Sequence, residues 1–237
     1  MTHREPPGPA CYQAVVRARP GRSSPLLAGA LAASLALAAG CQDSVTTPFP
    51  PGLEPFSDND VPGDLPGDRA EVLHTSSSSS GMIRVYGRGF VLAPPSVLWR
   101  VAQVPEGMAA RCNTTRQMYT LSNEPEHELS FLVHYVVDDI LTVEWDDQWR
   151  GDVIEVADDA PRLAMIKHQK VEGSDFIDLS EGSIQLRATD DPEVSELWFV
   201  EHLHAISGSA SDVTGGMQDN YDALVALAHD RPIPPCR

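Results

Sequence analysis

Basic residues are scarce in this 237-residue chain. Lys and Arg number 17 against 34 Asp and Glu, a formal charge of −17 at pH 7. Nucleic-acid binding depends on Lys and Arg neutralising phosphates, and an anionic lipid surface attracts basic faces rather than acidic ones. Both partner classes are therefore disfavoured, and the bland consequence of such a charge is solubility. Long apolar runs are missing too. The run Leu26–Cys41 is cut off by Gln42 and Asp43, short of the roughly 20 residues a spanning helix needs. No GxSxG elbow, HExxH pair or phosphate-cradling glycine loop occurs, so no catalytic residue, metal or cofactor is nominated. The four cysteines (11, 41, 112 and 236) contain no CxxC spacing, which argues against a redox role.

What is present begins with LLAGALAASLALAAGC, preceded by Arg17, Arg19 and Arg22. A positive flank, a short apolar core and a small-residue exit describe a secretory signal. Its end, Leu37-Ala38-Ala39-Gly40-Cys41, resembles the lipobox of bacterial lipoproteins, with Leu37 one place earlier than the preferred leucine. The resemblance implies cleavage before Cys41 and acylation of that cysteine, hence a membrane-lipid partner. Three acyl chains anchor firmly where one anchors only marginally. Gln42, rather than an aspartate, follows the cysteine, so the expected location is the outer membrane facing the periplasm, with surface display as the alternative. A plain signal peptide is the alternative for the stretch itself. Residues 1–40, with Cys11, are set aside as leader. Losing their four arginines and one glutamate takes the charge from −17 to −20.

Residues 41–81 read as a tether. Prolines at 48, 50, 51, 55, 62 and 66 alternate with Gly, Ser and acids, and Ser76–Ser80 closes the stretch. Such composition predicts a semi-stiff, then flexible linker with too little apolar content to offset chain ordering. Residues 82–237 make one domain, large enough for a core. Met82–Ala93 reads as a strand. Pro94-Pro95-Ser96 opens a short helix with Val97, Leu98, Val101 and Ala102 on one face, stopped by Pro105. Residues 106–128 read as irregular, with room for one more short helix. Strands follow at Leu129–Val137, Ile140–Trp149, Arg162–Val171, Phe176–Ala188 and Val194–Ile206, joined by turn signals. After Gly215-Gly216 the period changes. Met217, Tyr221, Leu224, Val225 and Ala228 form one helical face, ended by Pro232.

This α+β order resembles the START-like, or polyketide-cyclase, helix-grip superfamily. Gly89–Val101 is similar to that family's first strand and helix, Val171–Leu186 to a central hairpin, and Val194–Ala205 with Met217–Ala228 to the last strand and gripping helix. The resemblance implies a curved antiparallel sheet around a C-terminal helix and a cavity for a lipid or polyketide-like molecule. The final helix looks short for that role. An antiparallel β-sandwich with an appended helix is the competing architecture.

In an oxidising compartment, Cys112 and Cys236 are expected to form a disulfide worth roughly 4–5 kcal/mol in the loop-entropy picture, with two free thiols as the alternative. Trp99, Trp145, Trp149 and Trp198 are candidate pocket residues, although core packing accounts for most aromatics. His202 and His204 share a strand face and are candidate ligand contacts. As metal ligands they would need a third group, His134, His168 or Glu172, and a polar outer face accounts for the same pair. The expected function is a membrane-anchored carrier of an apolar small molecule without catalysis. A cyclase- or aromatase-like enzyme and a scaffold with a filled core are the alternatives.

Overall fold

The structure is a computed structural model that describes residues 44–235 apart from 64, 110, 111, 113 and 139–141. The leader, Cys41 and Cys236 lie outside the described residues. Eight strands and three helices follow in the order β1 (Leu73–Ser80), β2 (Met82–Val91), α1 (Pro95–Ala102), α2 (Pro105–Met108), β3 (Arg116–Leu121), β4 (Leu129–Asp138), β5 (Thr142–Ala157), β6 (Ala160–Gly173), β7 (Ile177–Ala188), β8 (Ser195–Ala205) and α3 (Ala210–Ala228). The strands form a single antiparallel sheet ordered β1-β2-β8-β7-β6-β5-β4-β3. Irregularities in the β5–β6 pairing at Asp146/Asp147 and Val153/Glu155 interrupt the ladder, where bulges bend a strand. The helices pack on one face, so this is the α+β helix-grip arrangement and not a two-sheet sandwich.

Side chains alternate between the two faces. Leu197 and Phe199 of β8, Ile184 and Leu186 of β7, Ala164 and Ile166 of β6, and Phe131 and Val133 of β4 point inward and join the core with Leu98, Met108, Met217, Tyr221 and Leu224 of the helices. Gly89 lets α3 lie close on β2, because a Cβ there would stand 2.9 Å from the Tyr221 ring. The Tyr221 hydroxyl then donates to the Phe90 carbonyl at 2.5 Å.

The sequence places the start of α3 too late. Its N-cap is Ser209, whose hydroxyl accepts from the Asp212 amide at 3.2 Å, while Asp212 accepts from the Ser209 amide at 2.9 Å, a capping box. Gly215 and Gly216 sit inside the helix, which packing holds despite their weak propensity. At 19 residues the helix is about 28 Å long, so the expectation of a short grip is corrected. β3 also emerges from the stretch read as irregular, and β5 continues eight residues past Trp149. Its hairpin turns at Asp158-Asp159, both at positive φ (51° and 60°), the backbone that two-residue hairpins favour and Asp tolerates. Cys112 is disulfide-bonded.

The tether reading of residues 41–81 fails from Ser44 onward. The serine run pairs with β2 as edge strand β1. Residues 44–62 form a strap across the outer face of the sheet. Val45 and Thr47 donate to Gly173 and Val171 carbonyls at 2.9 and 2.8 Å, where β6 has parted from β7. The proline carbonyls then act as acceptors. Gln169 donates to Pro48 at 2.8 Å, Arg150 to Pro50 at 3.1 Å and Arg88 to Pro62 at 3.2 Å. Arg150 lies 3.9 Å over the Phe49 ring and Lys167 4.5 Å over Phe56. Proline suits such a segment, since an extended chain that pairs only through carbonyls needs no N–H partner. Counting apolar residues missed it because polar and cation–π contacts hold it.

Burial pushes the Tyr221 phenol well above its ordinary 10.0, with Glu71 and Asp222 adding to the shift. The unfolded phenol ionises near pH 10 and the folded one does not, so this group's contribution is full below pH 10 and is lost as pH rises beyond it. Tyr221→Phe is expected to cost about 1 kcal/mol at pH 7 through the lost hydrogen bond. It should also flatten the decline in stability above pH 10, read from urea unfolding at the two pH values.

Candidate functional site

One row across the inner face carries the chemistry. Register places Phe131 of β4 opposite Trp149 of β5, Trp149 opposite His168 of β6, His168 opposite Gly182 of β7, and Gly182 opposite Glu201 of β8. The rings stack, Phe131 on Trp149 at 5.5 Å and Trp149 on His168 at 4.2 Å. His168 reaches over Gly182 to place Nε2 3.0 Å from Glu201 Oε1. A carboxylate can only accept, so Nε2 carries the proton. On the other side Nδ1 lies 3.8 Å from Asp147 Oδ2. His168, Asp147 and Glu201 are all buried, at 0 %, 1 % and 5 % exposure.

Glycine at 182 is what permits this contact. A Cβ there would stand 2.8 Å from the Glu201 carboxyl carbon and would overlap His168 Nε2. Lys170, register partner of Asp147, is buried in the next row. Its ammonium donates to the Ser174 and Ile177 carbonyls at 2.7 and 2.5 Å. Burial pushes its pKa down, against the pull of Asp178, Asp147 and Asp175. Charges this deep persist only when hydrogen-bonded and paired.

Glu201, at the end of this row, borders a cavity of about 900 Å³ between the sheet and the first half of α3. Val137, Val143, Trp145, Ile177, Leu203 and Val213 give it apolar walls; Ser180, Glu201 and Gln218 are polar points, and Gly215 and Gly216 form part of the helix side. No atom lies within 4 Å of a Cβ built on Gly215.

The candidate residues from the sequence separate. Trp145 lines the cavity, stacked on Tyr135 at 5.0 Å. Trp149 is fully buried one layer behind, under His168. Trp99 packs in the core from α1. Trp198 points outward between Arg88 and Arg187, at 5.4 and 4.5 Å. His202 borders the cavity, but its imidazole is engaged under the strap by Glu181 at 2.9 Å, Asp58 at 3.3 Å and Phe56 at 5.0 Å. His204 pairs with Asp178 at 3.0 Å and is half exposed. Among the described residues no group of three or more His, Cys, Asp or Glu is arranged to hold a metal. The sequence did not single out Asp147 or Glu201 as a floor pair for His168. A lone glycine inside strand β7 was the available signal, since such a glycine marks close approach.

No family model and no curated protein matches the sequence. Among solved structures, the chain is similar to the Zhui aromatase/cyclase from Streptomyces sp. R1128, with 16% identity, TM-score 0.41, and 62% of this chain and 91% of that one covered. It is also similar to the human StarD13 (DLC2) lipid transfer and protein localization domain, at 10% identity, TM-score 0.46 and coverages of 69% and 85%. A Thalictrum norcoclaurine synthase mutant matches at 11% identity, TM-score 0.42 and coverages of 65% and 97%. The fold assignment rests on the strand order and the seating of α3 described above.

Gly182→Ala should force His168 and Glu201 apart. The expected cost is about 2–3 kcal/mol, in the range for overpacking a core, with loss of Trp149–His168 stacking seen as a changed near-ultraviolet circular dichroism spectrum. Unchanged stability would mean that the row is not closely packed.

Proposed function

We propose that this protein is an envelope lipoprotein whose helix-grip cavity binds and carries an apolar small molecule. The observation that supports this reading is the cavity itself. Its volume falls within the range of about 300–1,000 Å³ usual for small-molecule sites, and its walls are mostly apolar with a few polar points. Binding would remove an apolar ligand from water, a gain of about 25 cal/mol per Å² of apolar surface. An open cavity also counts against a scaffold with a filled core.

A second reading is favoured by one observation, the hydrogen bond between Glu201, which lines the cavity, and His168 buried behind it. A hydrogen-bonded imidazole and carboxylate could move a proton to or from a bound molecule. In that reading the protein is a cyclase-like enzyme.

The anchor belongs to the proposal. Only Gln42 and Asp43 separate Cys41 from the strap in sequence. An intact mass that begins at an acylated Cys41 supports the anchor; a chain starting elsewhere, or lacking acyl mass, overturns it.

Native mass spectrometry of the full-length chain tests the carrier reading. An adduct of small-molecule mass, releasable by solvent, is expected. Gly215→Leu should abolish it by filling the cavity, while raising helix stability by up to about 1 kcal/mol. A clean mass that also ignores a panel of lipids and aromatic compounds would overturn the reading.

A further inference from the structure

The two halves of α3 are held by different means. Its buried residues, Met217, Asn220, Tyr221, Ala223, Leu224 and Ala226, all lie from Met217 onward. Residues 210–216 are exposed or half-buried, and among them Val213 is the one that packs against the core. Ser211, Asp212, Val213, Gly215 and Gly216 wall the cavity instead. Their composition works against a helix. Val and Thr lose rotamer freedom there and Ser and Asp prefer caps, while a single glycine weakens a helical position about fivefold relative to Ala. The Thr214 hydroxyl donates to the Ala210 carbonyl at 2.7 Å, a back-bond that slightly destabilises and often bends helices. The chain enters this half through Gly208, at a positive φ of 127°, which glycine adopts without strain. Its main restraint is the Ser209–Asp212 capping box.

We propose that residues 210–216 are the gate of the cavity, opened by local unwinding between Gly208 and Gly215. The half from Met217 onward stays seated on the sheet, with Tyr221 still bonded to the Phe90 carbonyl. This deepens the carrier reading and rests on it. Segments with few buried apolar contacts open at far lower cost than the whole domain. Unwinding here takes away one wall of the cavity and leaves the core on the other half of the helix intact. Ligand would then pass in either direction at a rate proportional to the unwound fraction. The affinity would be unaffected, because the free and loaded forms close over the same wall.

Stopped-flow fluorescence with N-phenyl-1-naphthylamine, a neutral apolar probe, reads both rates on the full-length chain. Gly215→Ala adds a methyl where no atom lies within 4 Å, so it stiffens the gate without a clash. Association and dissociation are both expected to slow about fivefold, the preference of a helix for Ala over Gly, with Kd within about twofold. Ser209→Ala removes the cap hydroxyl, and both rates should rise about fivefold. The double variant should return close to wild type. In the unliganded chain, amides of residues 214–218 are expected to exchange hydrogen at least about tenfold faster than those of residues 222–227. Equal rates in wild type and both single variants, or rate changes matched by a change in Kd, overturn the gate and leave the carrier reading standing. So does uniform exchange along α3. Failure of the wild-type chain to take up the probe counts against the carrier reading, and the gate falls with it.

Discussion

The hydrogen bond from His168 to Glu201 spans two strand spacings, about 9–10 Å of sheet. It closes only because the position between them has no side chain. This constraint locks β6, β7 and β8 in register, since a slip of one residue would carry an imidazole or a carboxylate to the opposite face. The ring stack continues the lock through Trp149 to Phe131 on β5 and β4. Five strands therefore share one row, and the cavity floor is also the sheet's registration mark.

The architecture was legible where the pattern was periodic. β4, β6, β7 and β8 alternate strongly enough to be read to within a few residues, and the Met217-Tyr221-Leu224 stripe is the one that grips. β3 was not legible, because its side chains are mostly exposed and carry little alternation. The start of α3 was hidden by two glycines, although Ser209 and Asp212 form a recognisable capping pair. The site was the least visible part. Its residues stand one to a strand, with His168 and Glu201 separated by 33 positions, and nothing local marks them except Gly182. Histidines at 202 and 204 drew attention by their spacing. They belong to the outer face, where the strap and Asp178 engage them.

The two faces use the same residue types differently. The chain has only two lysines. Lys167 lies outside, against Phe56 and the Glu54 carbonyl at 3.2 Å. Lys170 lies inside, capping the carbonyls of the loop that leads into β7. In so acidic a protein both lysines are committed to backbone carbonyls.

The strap has a consequence in time rather than in space. Its partners Arg84, Arg88, Arg150, Lys167, Gln169 and His202 lie on four strands, all later in the chain. The strap, made before them, can be seated only after those strands have paired. Contacts of such long sequence separation are entropically expensive and form slowly. The strap is thus the closing step of assembly, and by the same connectivity its release is the natural first step of opening.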